Sequence, residues 1–160
     1  MPRILVQRFT VPEEAMDVNG HVNNLAYLRW MQDAAIAHST AQGWPIERYL
    51  ASGTAWVVRS HYIEYLAPAF AGESLSLLTW VAGFRRHRSP RKFLFWRERD
   101  GRELVRAETL WVFVDTGTGR PVPIPPELLS AFEVVPPDED VLALVRGGDG
   151  HGSPQADGDP

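Results

Sequence analysis

The pattern of apolar and polar residues along this 160-residue chain predicts five strands. The first spans residues 3–10, "RILVQRFT", and is ended by Pro12. After residue 53 the sequence becomes rich in β-branched and aromatic residues, which favour strands. Four further strands are predicted there, at about 54–66, 73–84, 91–100 and 102–115. Asp100-Gly101 is a strong signal for a tight hairpin between the last two.

One long helix is predicted between the first and second strands, over residues 24–42. Its apolar residues recur at helical spacing, and three of them share a stripe: Leu28, Met31 and Ala35. An asparagine at position 23 or 24 can cap the helix start. Gly43 followed by Pro45 is a common stop signal. A short helical turn is expected later, within residues 125–132.

A strand, a helix and four further strands predict an α+β fold in which the helix packs on an antiparallel sheet. The length suits one domain, which we place at residues 1–135. Residues 136–160 form a C-terminal extension, expected to be largely disordered from about Val145 because it is rich in Gly, Asp and Pro. One helix cannot cover the large rings of both sheet faces, so a partner subunit is predicted. These rings are Trp56, Trp80, Trp96 and Trp111.

Composition excludes several classes of protein and site. No run of about 18 apolar residues is present, so no membrane segment is expected. The chain has no cysteine, which excludes disulfides and thiolate chemistry and is compatible with the cytoplasm. The net charge of −4 argues against a general nucleic-acid binder. Hydrolase-elbow, phosphate-loop and dinucleotide motifs are missing, and the five histidines show no metal-ligand spacing.

Positive charge is concentrated in one segment. Residues 85–106 hold nine of the sixteen Lys and Arg residues and only three acids. Such a segment in a mildly acidic chain is typical of a local anionic partner. Two solvated strands with long basic side chains explain the charge equally well.

The stretch "DVNGHVNN", residues 17–24, crowds polar groups just before the predicted helix. A helix start presents unpaired N–H groups and a partial positive charge, which can hold a developing oxyanion. Asp17 beside them could attack a carbonyl or activate a water, and Gly20 would permit close backbone approach. A turn closed by an Asx cap is the alternative, and for a generic stretch of this kind it is the more common one.

The longer stretch "DVNGHVNNLAYLRW" resembles the signature of hotdog-fold thioesterases of the 4-hydroxybenzoyl-CoA thioesterase type. It is also similar to a stretch of acyl-carrier-protein thioesterases, and the order of elements agrees over roughly residues 3–132. The resemblance implies a hotdog fold, in which a five- to six-stranded antiparallel sheet wraps a long central helix. It also implies a homodimer with active sites at the interface, assembled as a dimer of dimers.

The resemblance further implies roles for individual residues. Asp17 corresponds to the acid used as nucleophile or general base, and His21 has either a chemical or a structural role. The catalytic group implied is Asp17, His21 and Asn24. Backbone N–H groups from Asn24 to Tyr27 would polarise the thioester carbonyl. The oxyanion and substrate-binding group implied is Gly20, Asn23, Leu25 and Tyr27. Basic residues of the charged segment would bind the phosphates of coenzyme A: Arg85, Arg86, Arg88, Arg91 and Lys92.

The implied reaction is hydrolysis of an acyl thioester to a free acid and a thiol, without a metal or redox cofactor. Acyl-CoA is the expected substrate, and an acyl carrier protein thioester is the alternative. A non-catalytic acyl-CoA-binding hotdog module is a second alternative. A hotdog hydratase fits less well, because its His follows its Asp by five residues and a proline stands where this chain has Gly20.

Overall fold

The computed structural model describes residues 3–148, in which one antiparallel sheet packs against one principal helix. The sheet order is β1-β3-β4-β5-β2, and every neighbouring pair is antiparallel. The strands are β1 (Ile4–Thr10), β2 (Thr54–Tyr65), β3 (Ser74–Val81), β4 (Arg88–Arg97) and β5 (Arg102–Asp115). This confirms the predicted α+β class and all five predicted strands.

The described residues also form four α-helices and one short 3-10 turn at Glu13–Ala15. The helices are α1 (Asn24–Ala41), α2 (Ile46–Ser52), α3 (Pro126–Ala131) and α4 (Val141–Gly148). The pattern predicted α1 and α3 but missed α2 and α4. The predicted disordered segment, from about Val145, overlaps the end of α4, and residues 149–160 lie outside the described part. None of the described helices has the length and hydrophobicity that a bilayer-spanning segment requires.

The main core lies between α1 and one face of the sheet. Small alanines let the helix approach the strands closely, and the larger Tyr27 and Met31 fill the space beside them. Leu28, predicted on the buried stripe, is only half-buried, and Tyr27 occupies the core instead. The positions of β3 that face α1 are buried: Leu75, Leu77, Thr79 and Val81.

The opposite face of the sheet is partly covered by the chain's own C-terminal segment. Val135 and the apolar side of α4 pack there against Leu78, Trp80 and Leu94. The guanidinium of Arg146 lies 4.9 Å from the ring centre of Trp96. The C-terminal segment therefore already covers some of the large rings on this face. The sequence predicted a partner subunit because one helix cannot cover these rings, and that reason is now weaker.

The exposed edge strand β2 gives a different reason to expect a partner subunit. β2 is twelve residues long and forms one edge of the sheet. Apolar and aromatic side chains along it are exposed, including Val57, Val58, Tyr62 and Tyr65. A long, apolar, unpaired edge is a surface that soluble proteins normally cover or pair.

Candidate active site

A tight turn holds Asp17 directly before α1. The Asp17 N–H donates to the His21 carbonyl at 2.8 Å, and the Gly20 N–H donates to the Asp17 carbonyl at 3.2 Å. Met16 and Val22 pair across the base of this turn. Gly20 has a φ of +80°, a left-handed conformation that other residues adopt at a cost. The sequence predicts that Gly20 permits close approach of the backbone to a ligand. In the structure Gly20 closes the turn that presents Asp17.

The carboxylate of Asp17 is held by its own loop. One oxygen accepts the Asn19 N–H at 2.8 Å. The other lies 3.6 Å from His21 Nδ1, which is also 3.4 Å from the Val22 carbonyl. Both neighbours of Nδ1 are acceptors, so Nδ1 is the ring nitrogen suited to carry the proton. The Asp17 side chain is 20% exposed, so the carboxylate is oriented and still open to a ligand.

The N-terminus of α1 lies immediately after this turn, with Asn23 as its cap. Asn23 Oδ1 accepts the Leu25 N–H at 2.9 Å, and the Asn23 carbonyl accepts the Ala26 N–H at 3.0 Å. Two of the predicted oxyanion donors are therefore already occupied within the chain. Within residues 3–148 the Asn24 N–H has no hydrogen-bond acceptor. It is therefore the candidate donor to the oxyanion.

Two further hydrogen bonds fix the loop to the body of the domain. The Val22 N–H donates to the Ala69 carbonyl at 2.9 Å, and the Asn23 N–H donates to the Ala15 carbonyl at 2.8 Å. The turn is thus tied to the β2–β3 connection and to the 3-10 turn. Because the Asp17 turn is bonded to two other segments, it needs little reorganisation when a ligand binds, as a preorganised site requires.

Two residues predicted to bind substrate occupy contrasting environments. Leu25 is 71% exposed at the first turn of α1, where an approaching ligand or subunit can reach it. Tyr27 is 2% exposed and packs against Trp30, Tyr65 and Phe95. Burial raises the pKa of Tyr27 to about 12. The Tyr27 side chain is thus part of the core. The predicted place of Tyr27 in the oxyanion and substrate-binding group stays a prediction.

A cavity of about 260 Å³ lies near the other end of α1, between its second half, α2 and the start of β2. Aromatic rings form much of its wall: Trp44, Tyr49, Trp56, Phe84, Trp111 and Phe132. The Tyr49 hydroxyl is 2.7 Å from Ser39 Oγ and accepts the Trp56 indole N–H at 3.1 Å. The sequence prediction did not include this cavity. Its only local signal was the aromatic residues on both sides of Gly53.

Arg91 lines this cavity and is 6% exposed. One of its terminal nitrogens is 2.9 Å from His38 Nδ1 and 3.1 Å from Thr79 Oγ1. Burial lowers the pKa of Arg91 to about 10, so the side chain is still protonated at neutral pH. Side chains alternate along β4, so Arg91 faces α1 whereas Lys92 faces the other side of the sheet. This placement differs from the predicted exposed phosphate contact.

Residues 11–132 match the thioesterase-like superfamily. The chain belongs to this superfamily. A relative from Agrobacterium fabrum, an L-carnitine dehydrogenase/betainyl-CoA thioesterase, is 30% identical over 118 residues. The match covers 74% of this chain and 24% of the relative, so the chain spans about a quarter of that protein's length.

Solved structures, two of them of thioesterases, share the fold of this superfamily member. A 4-hydroxybenzoyl-CoA thioesterase mutant, complexed with 4-hydroxybenzoyl-CoA, gives a TM-score of 0.76 at 17% identity, over 82% of this chain and all of that one. A 1,4-dihydroxy-2-naphthoyl-CoA thioesterase from Synechocystis gives 0.74 at 19%, over 80% and 94%. A protein from Staphylococcus aureus in complex with CoA gives 0.75 at 15%, over 80% of both chains. The predicted hotdog fold is confirmed.

The exposed arginines predicted to bind phosphate lie far from Asp17 of this superfamily member. Arg85, Arg86 and Arg88 are exposed at the connection after β3. The Asp17 turn lies near the start of β3, because Val22 and Val11 bond to the segment just before that strand. Eight strand residues span about 25 Å. Within one chain, therefore, the predicted phosphate site and the predicted catalytic acid lie at opposite ends of the sheet.

No group of three or more His, Cys, Asp or Glu side chains within residues 3–148 is arranged to hold a metal ion. The groups available to act on a substrate are one fixed carboxylate, one helix N-terminus and one cavity with a buried cation.

Proposed function

We propose that this chain hydrolyses acyl-CoA thioesters, with Asp17 as the reacting carboxylate. One observation carries the proposal. The Asp17 carboxylate is held by the Asn19 N–H, with His21 nearby, directly before a helix N-terminus whose Asn24 N–H is open. A fixed negative group next to an oxyanion donor is the arrangement that acyl transfer from a thioester requires.

Two routes lead to the same products. In the first, Asp17 attacks the thioester carbonyl, the C–S bond breaks, and CoA leaves as a thiolate. Water then hydrolyses the resulting mixed anhydride. In the second, Asp17 takes a proton from a water that attacks the carbonyl directly. In both, negative charge develops on the carbonyl oxygen, which the Asn24 N–H would stabilise. His21 is a positioning residue, because it lies beside the carboxylate oxygen that the Asn19 N–H does not bind.

Coenzyme A is favoured as the thiol carrier. The relative that is 30% identical is named a betainyl-CoA thioesterase in part, which supports a CoA thioester as the substrate class. A carrier-protein thioester stays an alternative prediction.

We propose further that the active unit is a homodimer formed through β2. The strand is an exposed edge, and pairing it with a second copy about a twofold axis would cover it. Antiparallel pairing places Thr54 of one protomer near Tyr65 of the other. Tyr65 contacts Tyr27, with ring centres 5.7 Å apart, so this end of β2 marks the start of α1. Thr54 lines the cavity.

The proposed dimer therefore brings the separated groups together. The cavity of one protomer would face the Asp17 turn of its partner, with the cations at 85, 86 and 88 at the same end. An acyl group would occupy the cavity while the exposed arginines bind the phosphates of CoA. Assembly into a dimer of dimers stays a prediction.

The test is turnover of purified protein on a panel of acyl-CoAs, measured by thiol release. Asp17→Asn removes the negative charge but keeps the shape, and kcat should fall by roughly 100- to 10,000-fold. His21→Gln should lower kcat less, because the Asn19 N–H still holds the carboxylate. Asp33→Asn is the matched control, since Asp33 is exposed on α1 and far along the helix from the turn.

The outcomes separate the alternatives. Wild-type protein that binds acyl-CoA but hydrolyses none would favour a non-catalytic binding module. Normal turnover by a folded Asp17→Asn protein would show that the carboxylate is not the reacting group.

A further inference from the structure

The cavity beside α1 contains a buried cation with no acidic partner. Arg91 is 6% exposed, yet no Asp or Glu of the described residues forms an ion pair with it. Its recorded hydrogen bonds, to His38 and Thr79, are both made by one terminal nitrogen of the guanidinium. The ring centre of Phe132, at 5.8 Å, supplies only a weak cation–π contact. Buried charges in proteins are normally paired, because removing them from water is costly.

The other polar groups of the cavity wall are mostly satisfied within the chain. Ser89, a residue that lines the cavity, donates its hydroxyl to the Gly83 carbonyl at 2.9 Å. Ser39, Tyr49 and Trp56 bond to one another and so satisfy themselves. Among the described residues, Arg91 is thus the one charged residue in the wall of this cavity, whereas the rest of the lining is mostly aromatic or aliphatic.

We infer that this cavity receives an acyl group whose far end carries a carboxylate, bound by Arg91. The inference rests on the proposed thioesterase activity and names the class of its substrate: CoA monothioesters of short dicarboxylic acids. The aromatic wall contacts the methylene chain, and the guanidinium supplies the charge that the terminal carboxylate needs when it leaves water.

The size and the charge of the cavity both limit the acyl group. An engineered cavity of about 150 Å³ holds one benzene molecule, so a cavity of about 260 Å³ accommodates a short chain rather than a long fatty acyl group. A cationic acyl group is disfavoured by the buried guanidinium. Betainyl-CoA, the thioester in the name of the Agrobacterium fabrum relative, should therefore be a poor substrate for this chain.

The experiment compares kcat/KM for matched pairs of thioesters on the purified full chain. Glutaryl-, adipyl- and suberyl-CoA are measured against pentanoyl-, hexanoyl- and octanoyl-CoA, with betainyl-CoA as the cationic probe. At the best chain length, the wild type should prefer the carboxylate-ended substrate by on the order of 10- to 100-fold, as one charged hydrogen-bonded contact provides. Arg91→Met should reduce this preference to about unity, whereas Arg91→Lys should retain part of it.

Arg102→Met is the control for the loss of one positive charge, because Arg102 is exposed just after the turn that follows β4 and is not among the residues that line this cavity. It should leave the preference unchanged. A preference for the simple acyl chain at every length in the wild type would overturn the inference, even if Arg91→Met failed to fold. An equal preference in wild type and folded Arg91→Met would also overturn it. If no thioester is hydrolysed at all, the proposed function itself fails, which is a distinct result.

Discussion

At the scale of single residues, neighbours in the sequence can have opposite environments. Arg91 and Lys92 are consecutive in one basic run, yet Arg91 is buried beneath α1 and Lys92 lies on the other face of the sheet. Strand alternation separates them, and only the position of α1 decides which face becomes the interior. Tyr27 is a similar case, because the motif that contains it does not reveal that its ring belongs to the core.

Replacing Tyr27 with Phe should change the pH dependence of stability. The pKa of Tyr27 is raised from 10.0 to about 12 by burial, so the unfolded chain loses this proton at lower pH than the folded chain does. Its contribution to stability is present below pH 10 and is lost as pH rises through about 12. Tyr27→Phe lacks this group, so its urea-unfolding midpoint should fall less steeply than the wild type's from pH 9 to 11. Equal slopes would contradict this account.

At the scale of elements, the start of α1 combines a structural and a chemical role. Asn23 caps the helix and thereby uses the N–H groups of Leu25 and Ala26. The donor that remains open is the Asn24 N–H, one residue closer to the Asp17 turn. A cap that satisfies some donors and leaves one open is compatible with both the Asx-turn interpretation and the oxyanion interpretation of this sequence.

Asn23→Ala should destabilise the protein by about 1 kcal/mol, the usual cost of losing an N-cap. The freed Leu25 N–H would loosen the first helical turn, so kcat should fall as well. Chemical unfolding and thiol-release kinetics measure the two effects. Asn23→Asp is the matched control, because it keeps an oxygen acceptor for the Leu25 N–H. The prediction fails if Asn23→Ala and Asn23→Asp unfold at the same denaturant concentration.

At the scale of the whole molecule, the proposed active site requires two chains. The cavity and the exposed arginines lie at one end of the sheet, and Asp17 lies at the other. An antiparallel pairing of two β2 strands would bring one chain's cavity to the other chain's acid. The C-terminal segment covers part of the opposite sheet face, which leaves the β2 edge as the exposed apolar surface that the proposed pairing uses.

Charged substitutions on β2 should therefore remove activity by separating the subunits. Val58→Lys combined with Tyr62→Lys places two like charges on each paired edge, and light scattering should detect a monomer. Turnover should fall at least tenfold while circular dichroism shows a folded chain. Leu144→Lys is the control, because it exchanges an exposed apolar residue for the same charge on α4. An active double-variant monomer would rule out a shared site.

The sequence by itself determined the local features: five strands, the helix from 24 to about 41, its asparagine cap and the turn that presents Asp17. Those follow from periodicity and turn chemistry, which act over a few residues, and the motif was specific enough to indicate the family. Only the tertiary structure decided the burial of Arg91, the cavity and the cover that the C-terminal segment provides. Each depends on which faces of distant segments meet, since Arg91 and His38 are 53 positions apart and still touch. Burial depends on such non-local packing. The sequence therefore could not distinguish Arg91, to which we assign substrate choice, from the exposed basic residues beside it.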